Sequence, residues 1–160
     1  MVTLLRPHFR NYGKRLVKTP KLYFLDSGLA AWLMGIRDTQ TLEIHAARGA
    51  LFETWVVSEL IKQRLNAGLT PGLYFWRDNS GQEIDVLCET TQGLQAIEIK
   101  SGSTYACDWV QSLKKWQSLT GTDALDLSIV YGGTNNFERE SIKVWGWKDI
   151  AQVSPLPRIS

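Results

Sequence analysis

The sequence predicts an α/β fold with a mixed central sheet flanked by helices, and three observations carry that expectation. Two segments, Gly49 to Leu65 and Asp108 to Leu119, repeat apolar residues at helical spacing. Between them lie short runs of strand character, each bounded by Gly, Asn, Ser or Pro. Two further strand-like runs follow the second helix, so the order is helix, several strands, helix, strands, as in a layered α/β domain. At 160 residues, 44% hydrophobic and 21% charged, the chain suits one soluble domain that buries its own core.

The net charge of +2 is unevenly spread. Residues 1–21 hold six basic side chains (Arg6, Arg10, Lys14, Arg15, Lys18, Lys21) and no acidic one, whereas residues 22–160 hold 12 basic against 16 acidic. A basic N-terminal segment therefore precedes a mildly acidic body, and the boundary is drawn at residue 21. Arg10, Lys14 and Arg15 are its candidate DNA contacts, because cations near a duplex release counterions and supply affinity without sequence preference. A solvated hairpin or linker accounts for the same charges.

Beyond this segment the elements follow in order. Asp26 or Ser27 can cap a short helix through Ala30, Trp32 and Leu33, which Gly35 ends. In the Gly49–Leu65 helix, Phe52, Val56 and Leu60 form the apolar stripe while Glu59, Lys62 and Gln63 turn to water. Glu53 borders that stripe; a glutamate favoured by the helix dipole explains it without any function. Leu73 to Arg77 reads as a strand leading into the Asn79-Ser80-Gly81 turn. A helix opened by Asp108 carries Trp109, Leu113, Trp116 and Leu119 on one stripe and closes at Gly121, and Leu127–Tyr131 and Ile142–Trp147 are the last two strands. Trp32, Trp55, Trp109 and Trp116 fit helical core stripes. Trp76, Trp145 and Trp147 fit either core or a surface platform.

The informative pair of strands is Gln82-Glu83-Ile84-Asp85-Val86-Leu87 and Leu94-Gln95-Ala96-Ile97-Glu98-Ile99-Lys100, joined through Thr90-Thr91-Gln92-Gly93. Alternation sends Ile97 and Ile99 to one face and Ala96, Glu98 and Lys100 to the other. If Leu87 pairs near Leu94 or Ala96, Asp85 lies beside Glu98. Two adjacent carboxylates repel unless a cation stands between them, and their oxygens suit magnesium, which takes few protein carboxylates and binds substrate phosphate.

An acidic residue on one strand followed by Glu98-Ile99-Lys100 on the next resembles the PD-(D/E)xK signature of restriction-endonuclease-like nucleases, although Ile84 stands where that motif often has Pro. Together, Lys18-Thr19-Pro20-Lys21-Leu22-Tyr23-Phe24-Leu25-Asp26-Ser27-Gly28-Leu29-Ala30, Leu51-Phe52-Glu53, Phe75-Trp76-Arg77 and Glu83-Ile84-Asp85 are similar to the C-terminal domain of unknown function of bacterial and archaeal AAA-type P-loop ATPases. That resemblance covers nearly the whole chain. It implies a restriction-endonuclease-like domain over residues 22–160 and, in residues 1–21, the end of a winged helix, so that the chain would begin inside a wing.

The resemblance also implies roles. Asp85 and Glu98, with the backbone carbonyl of Ile99, would ligate magnesium or manganese; Lys100 would hold or help deprotonate the attacking water; Glu53 would complete the site. The function implied is metal-dependent nuclease action. The alternatives are a catalytically inactive DNA-binding module and an oligomerisation module of the same ATPase. Expected partners are DNA, the N-terminal ATPase domain and a second copy of the chain. No Walker A pattern occurs, so no ATP site is expected here. The two cysteines, Cys88 and Cys107, lack metal-ligand spacing and suggest reduced packing roles, and His8 and His45 cannot supply a zinc cluster. Without a membrane-length apolar run or a signal peptide, the expected location is cytoplasmic.

Overall fold

The computed structural model describes residues 1–9, 16–90, 93–121 and 124–153. Among them are eight strands in one mixed sheet, with helices on both faces. In chain order the elements are β1 (Val2–Pro7), β2 (Lys21–Phe24), α1 (Ser27–Leu33), α2 (Thr39–Ile44), α3 (Arg48–Asn66), β3 (Leu73–Arg77), β4 (Glu83–Thr90), β5 (Gly93–Lys100), α4 (Val110–Thr120), β6 (Ala124–Tyr131), β7 (Phe137–Arg139) and β8 (Ile142–Gly146). A 3-10 turn, Cys107–Trp109, leads into α4, and another, Trp147–Gln152, follows β8. The strand order is β2-β1-β3-β4-β5-β6-β8-β7.

Local chemistry accounts for the boundaries. Asp26 caps α1 by accepting the Leu29 N–H at 2.9 Å, and Gly35 follows the helix at a φ of +81° that few other residues adopt. Asp78 builds the turn before β4 by accepting the backbone N–H groups of Ser80 and Gln82, at 2.9 and 3.0 Å. β4 and β5 form the expected antiparallel pair, with Leu87 opposite Ala96 and Val86 opposite Ile97.

The sheet divides two apolar layers. Under α3, Val57 and Leu60 meet Phe75, Val86, Cys88, Ile97 and Ile99. Under α4, Leu113 and Trp116 meet Trp76, Ile84, Leu87, Ala96 and Ile129. Trp76, which fitted either core or surface, is fully buried. Trp32 departs from expectation: it is 58% exposed on the outer side of α1, with the Arg37 guanidinium 4.6 Å from its ring centroid. Its short helix has only one buried residue, Ala30, so the stripe has no core to enter. Trp147 does not continue β8 either; the strand ends at Gly146 and the indole begins a 3-10 turn.

One strand, β1, lies within the expected basic segment, and β2 begins at its last residue, Lys21. β1 pairs antiparallel with β2 and parallel with β3, so the sheet runs across the boundary drawn at residue 21. No helix among the described residues is long and apolar enough to cross a membrane. Cys88 is buried, with burial pushing its thiol up to about 11, and Cys107 is exposed; the two are not joined in a disulfide.

Candidate functional site

β4 is irregular where its acidic residue stands. Tyr74 of β3 is opposite Leu87 and Trp76 opposite Ile84, so three steps on β4 match two on β3. This bulge interrupts the alternation: Ile84 and Leu87 both face the α4 layer, and Val86 faces the α3 layer. Asp85 occupies the bulge. Its Oδ2 accepts the Ile99 N–H at 2.8 Å, tying the carboxylate to the middle of the Glu98-Ile99-Lys100 run.

Glu98 and Lys100 lie on the side of β5 opposite Ile97 and Ile99, as alternation demands. The Lys100 amine donates to Glu98 Oε1 at 2.7 Å, and Ser112 on α4 favours the charged carboxylate. Glu98 is 5% exposed, and its Oε2 has no hydrogen-bond partner among the described residues.

Glu53 is half-buried on α3, one turn before the buried Val57 and two before Leu60, at the border of the apolar face. It faces β2. The Lys21 amine donates to Glu53 Oε1 at 3.0 Å and also pairs with Glu83, while the Tyr23 hydroxyl makes a short hydrogen bond to Glu53. The direct partners of Glu53 are thus Lys21 and Tyr23, and that of Glu98 is Lys100. Asp85 stands between the two groups and feels both.

The titration behaviour follows. Asp85 keeps some solvent contact, yet burial raises its pKa well above the ordinary carboxylate range; Glu98 and Glu53 push it further, and the Ile99 N–H and Lys21 only partly oppose them. Burial also raises Glu98, with Lys100 and Ser112 holding it back. Burial alone would lower both lysine amines. Glu53 and Glu83 outweigh it at Lys21, and Glu98 outweighs it at Lys100, so both are raised and charged.

Asp85 and Glu98 place two carboxylates on adjacent strands, one oxygen of Glu98 is buried without a hydrogen-bond partner among the described residues, and oxygen donors are the kind that a hard divalent ion takes. Among the described residues no group of three or more His, Cys, Asp and Glu side chains gathers as a ligand shell. An ion held by Asp85 and Glu98 would therefore complete its shell with water and substrate oxygens, as magnesium commonly does. Ile99, expected to lend a carbonyl, contributes its N–H to Asp85. Arg10, Lys14 and Arg15 lie outside the described residues. Lys21 and Tyr23 are additions: alternation on β2, with Leu22 exposed between them, is the signal that turns both inward.

Residues 48–150 match the family described as a domain of unknown function, DUF4143, and residues 1–40 match a second, DUF8612. Two curated relatives, both described as uncharacterized proteins, come from Mycobacterium bovis and Mycobacterium tuberculosis. Each is 35% identical over 138 residues, covering 86% of this chain and 29% of the relative. The chain thus spans well under half the length of the proteins it matches.

Proposed function

The chain belongs to the DUF4143 family, and from that premise we propose that it carries a magnesium- or manganese-dependent site for phosphodiester hydrolysis, of the restriction-endonuclease-like PD-(D/E)xK type. The succession α3-β3-β4-β5-α4-β6, with its four strands adjacent in the sheet, supports that fold reading. One observation carries the function: the carboxylate of Asp85 is bonded to the backbone between Glu98 and Lys100, and both acids are driven toward protonation where a cation would relieve them. In the longer relatives this unit would accompany an ATPase domain, with DNA as substrate.

Each residue then has a task. Asp85 and Glu98 would hold the ion, which supplies Lewis acidity to the scissile phosphate and to water. Lys100, kept protonated by Glu98, stabilises negative charge developing on the phosphoryl oxygens and orients the attacking water. Lys21 and Tyr23 fix Glu53 on α3, which maintains the negative potential around Asp85.

Titration calorimetry with manganese tests the proposal. The wild-type chain should bind the ion, and Asp85→Asn or Glu98→Gln should abolish binding; heat that survives both changes puts the metal elsewhere. Cleavage of DNA should require the ion and disappear in Lys100→Ala. A specific observation also favours a second reading, a catalytically inactive DNA-binding or oligomerisation module: Glu53 and Glu98 each already have a lysine partner within 3.0 Å. Under that reading manganese would leave the melting temperature unchanged.

A further inference from the structure

We propose that the carboxyl edge of β5, β6 and β8 is a track for single-stranded nucleic acid, running from Lys100 past Arg48 to Trp147 and Lys148. It rests on the phosphodiesterase reading for its purpose and on other residues for its geometry. The three strands are parallel, and their register aligns Lys100 with Tyr131 and Tyr131 with Gly146. They therefore leave the sheet side by side, the place where open α/β sheets take ligands.

Cations and an aromatic surface meet along this edge. Arg48, at the start of α3, donates from Nη2 to the carbonyl of Ser101 at 2.9 Å, placing a guanidinium at the residue after Lys100. Trp147 directly follows Gly146 and is 39% exposed. It meets Trp55 in a T-shaped contact at 75°, centroids 5.9 Å apart. Phe52 backs Trp55, ring centroids 5.9 Å apart. The Lys148 amine lies 5.6 Å from the Trp147 ring centroid. The neighbouring acid, Asp149, accepts from Asn136 at 2.8 Å.

An exposed indole beside an amine, with a guanidinium and a second amine where β5 leaves the same edge, matches a base flanked by phosphates. Stacking on such a ring tolerates any sequence, because every base has a π-face, and it requires a base that is not already stacked in a duplex. The same edge begins at Lys100, so a strand lying on Trp147 would lead its backbone toward the acidic pair.

Fluorescence anisotropy with a labelled oligothymidine, measured in chelator so that no hydrolysis occurs, tests the track. The single strand should bind more tightly than a duplex of equal length. Trp147→Ala should weaken binding about tenfold and Trp147→Phe much less. Lys148→Ala and Arg48→Ala should each lower the salt dependence by about one phosphate contact. Should Trp147→Ala lower the melting temperature, Lys148→Ala carries the test. A duplex bound as well as the single strand, or affinity unchanged in the Trp147 and Lys148 variants, overturns the proposal. Manganese calorimetry separates the two claims: oligonucleotide binding without ion binding sinks the phosphodiesterase reading alone, and the reverse sinks the track alone.

Discussion

Asp85 concentrates the electrostatic conflict of this protein. Its charged form is desolvated and repelled by Glu98 and Glu53, with one backbone N–H and Lys21 in partial compensation. Its folded pKa is raised above the unfolded value, so its favourable contribution is complete below the ordinary Asp range of about 4 and is lost as pH rises through the folded pKa. Asp85→Asn removes the charge and keeps an oxygen able to accept the Ile99 N–H. In chelator the variant should therefore melt higher than wild type at pH 8, with the gap closing toward pH 5. Manganese should raise the wild-type melting temperature at pH 8 and leave the variant unmoved. A gap that stays constant with pH would show that Asp85 is not the group in conflict. The shared side of Glu98 and Lys100 was legible in the sequence because alternation along one strand is local, and the nearness of Asp85 to them because the β4-β5 hairpin is local too. The pairing of Glu53 with Lys21 and Tyr23 was not, since it joins an α3 side chain to a strand some thirty residues earlier.

At the level of elements, the long helices and the β4-β5 hairpin were readable from periodicity and turn residues, and Leu87 does pair with Ala96. What periodicity could not supply was the bulge at Asp85, because a residue inserted against β3 is defined by the partner strand. α2 and β7 were also missed: each is six residues or fewer, too short for a pattern to emerge. Glycines at the carboxyl edge give a further test. A Cβ on Gly133 would overlap the Tyr131 ring and come within 2.6 Å of the Ser103 carbonyl. Neither neighbour can yield without moving the loop after β5 or the aromatic group of Tyr105, Trp109 and Tyr131. Gly133→Ala should cost about 1–3 kcal/mol in urea unfolding. An unchanged midpoint would mean that the two loops are less closely apposed.

Across the whole molecule, the question is whether the first strands belong to the body. Basic composition suggested an arm, yet β1 sits between β2 and β3, a position reached only through a parallel pairing with residues nearly seventy places later. Composition carries no information about such a pairing. The alternation on β1 does: Leu5 is 2% exposed within the α3 layer, whereas Leu4, its neighbour, is 57% exposed and opposite Leu22 on the outer face. If β1 is part of one cooperative unit, Leu5→Ala should cost about 2–5 kcal/mol, the range for a large apolar side chain removed from a packed core. Leu4→Ala should stay within about 0.5 kcal/mol of wild type, as surface changes usually do. Calorimetry should show one transition for both variants. Lys21 lies on β2, so loosening β1 should also release the partner of Glu53, and Leu5→Ala should weaken manganese binding although it touches no carboxylate. Equal melting of the two variants would detach β1 from the sheet, and with it the link between the basic first residues and the acidic site.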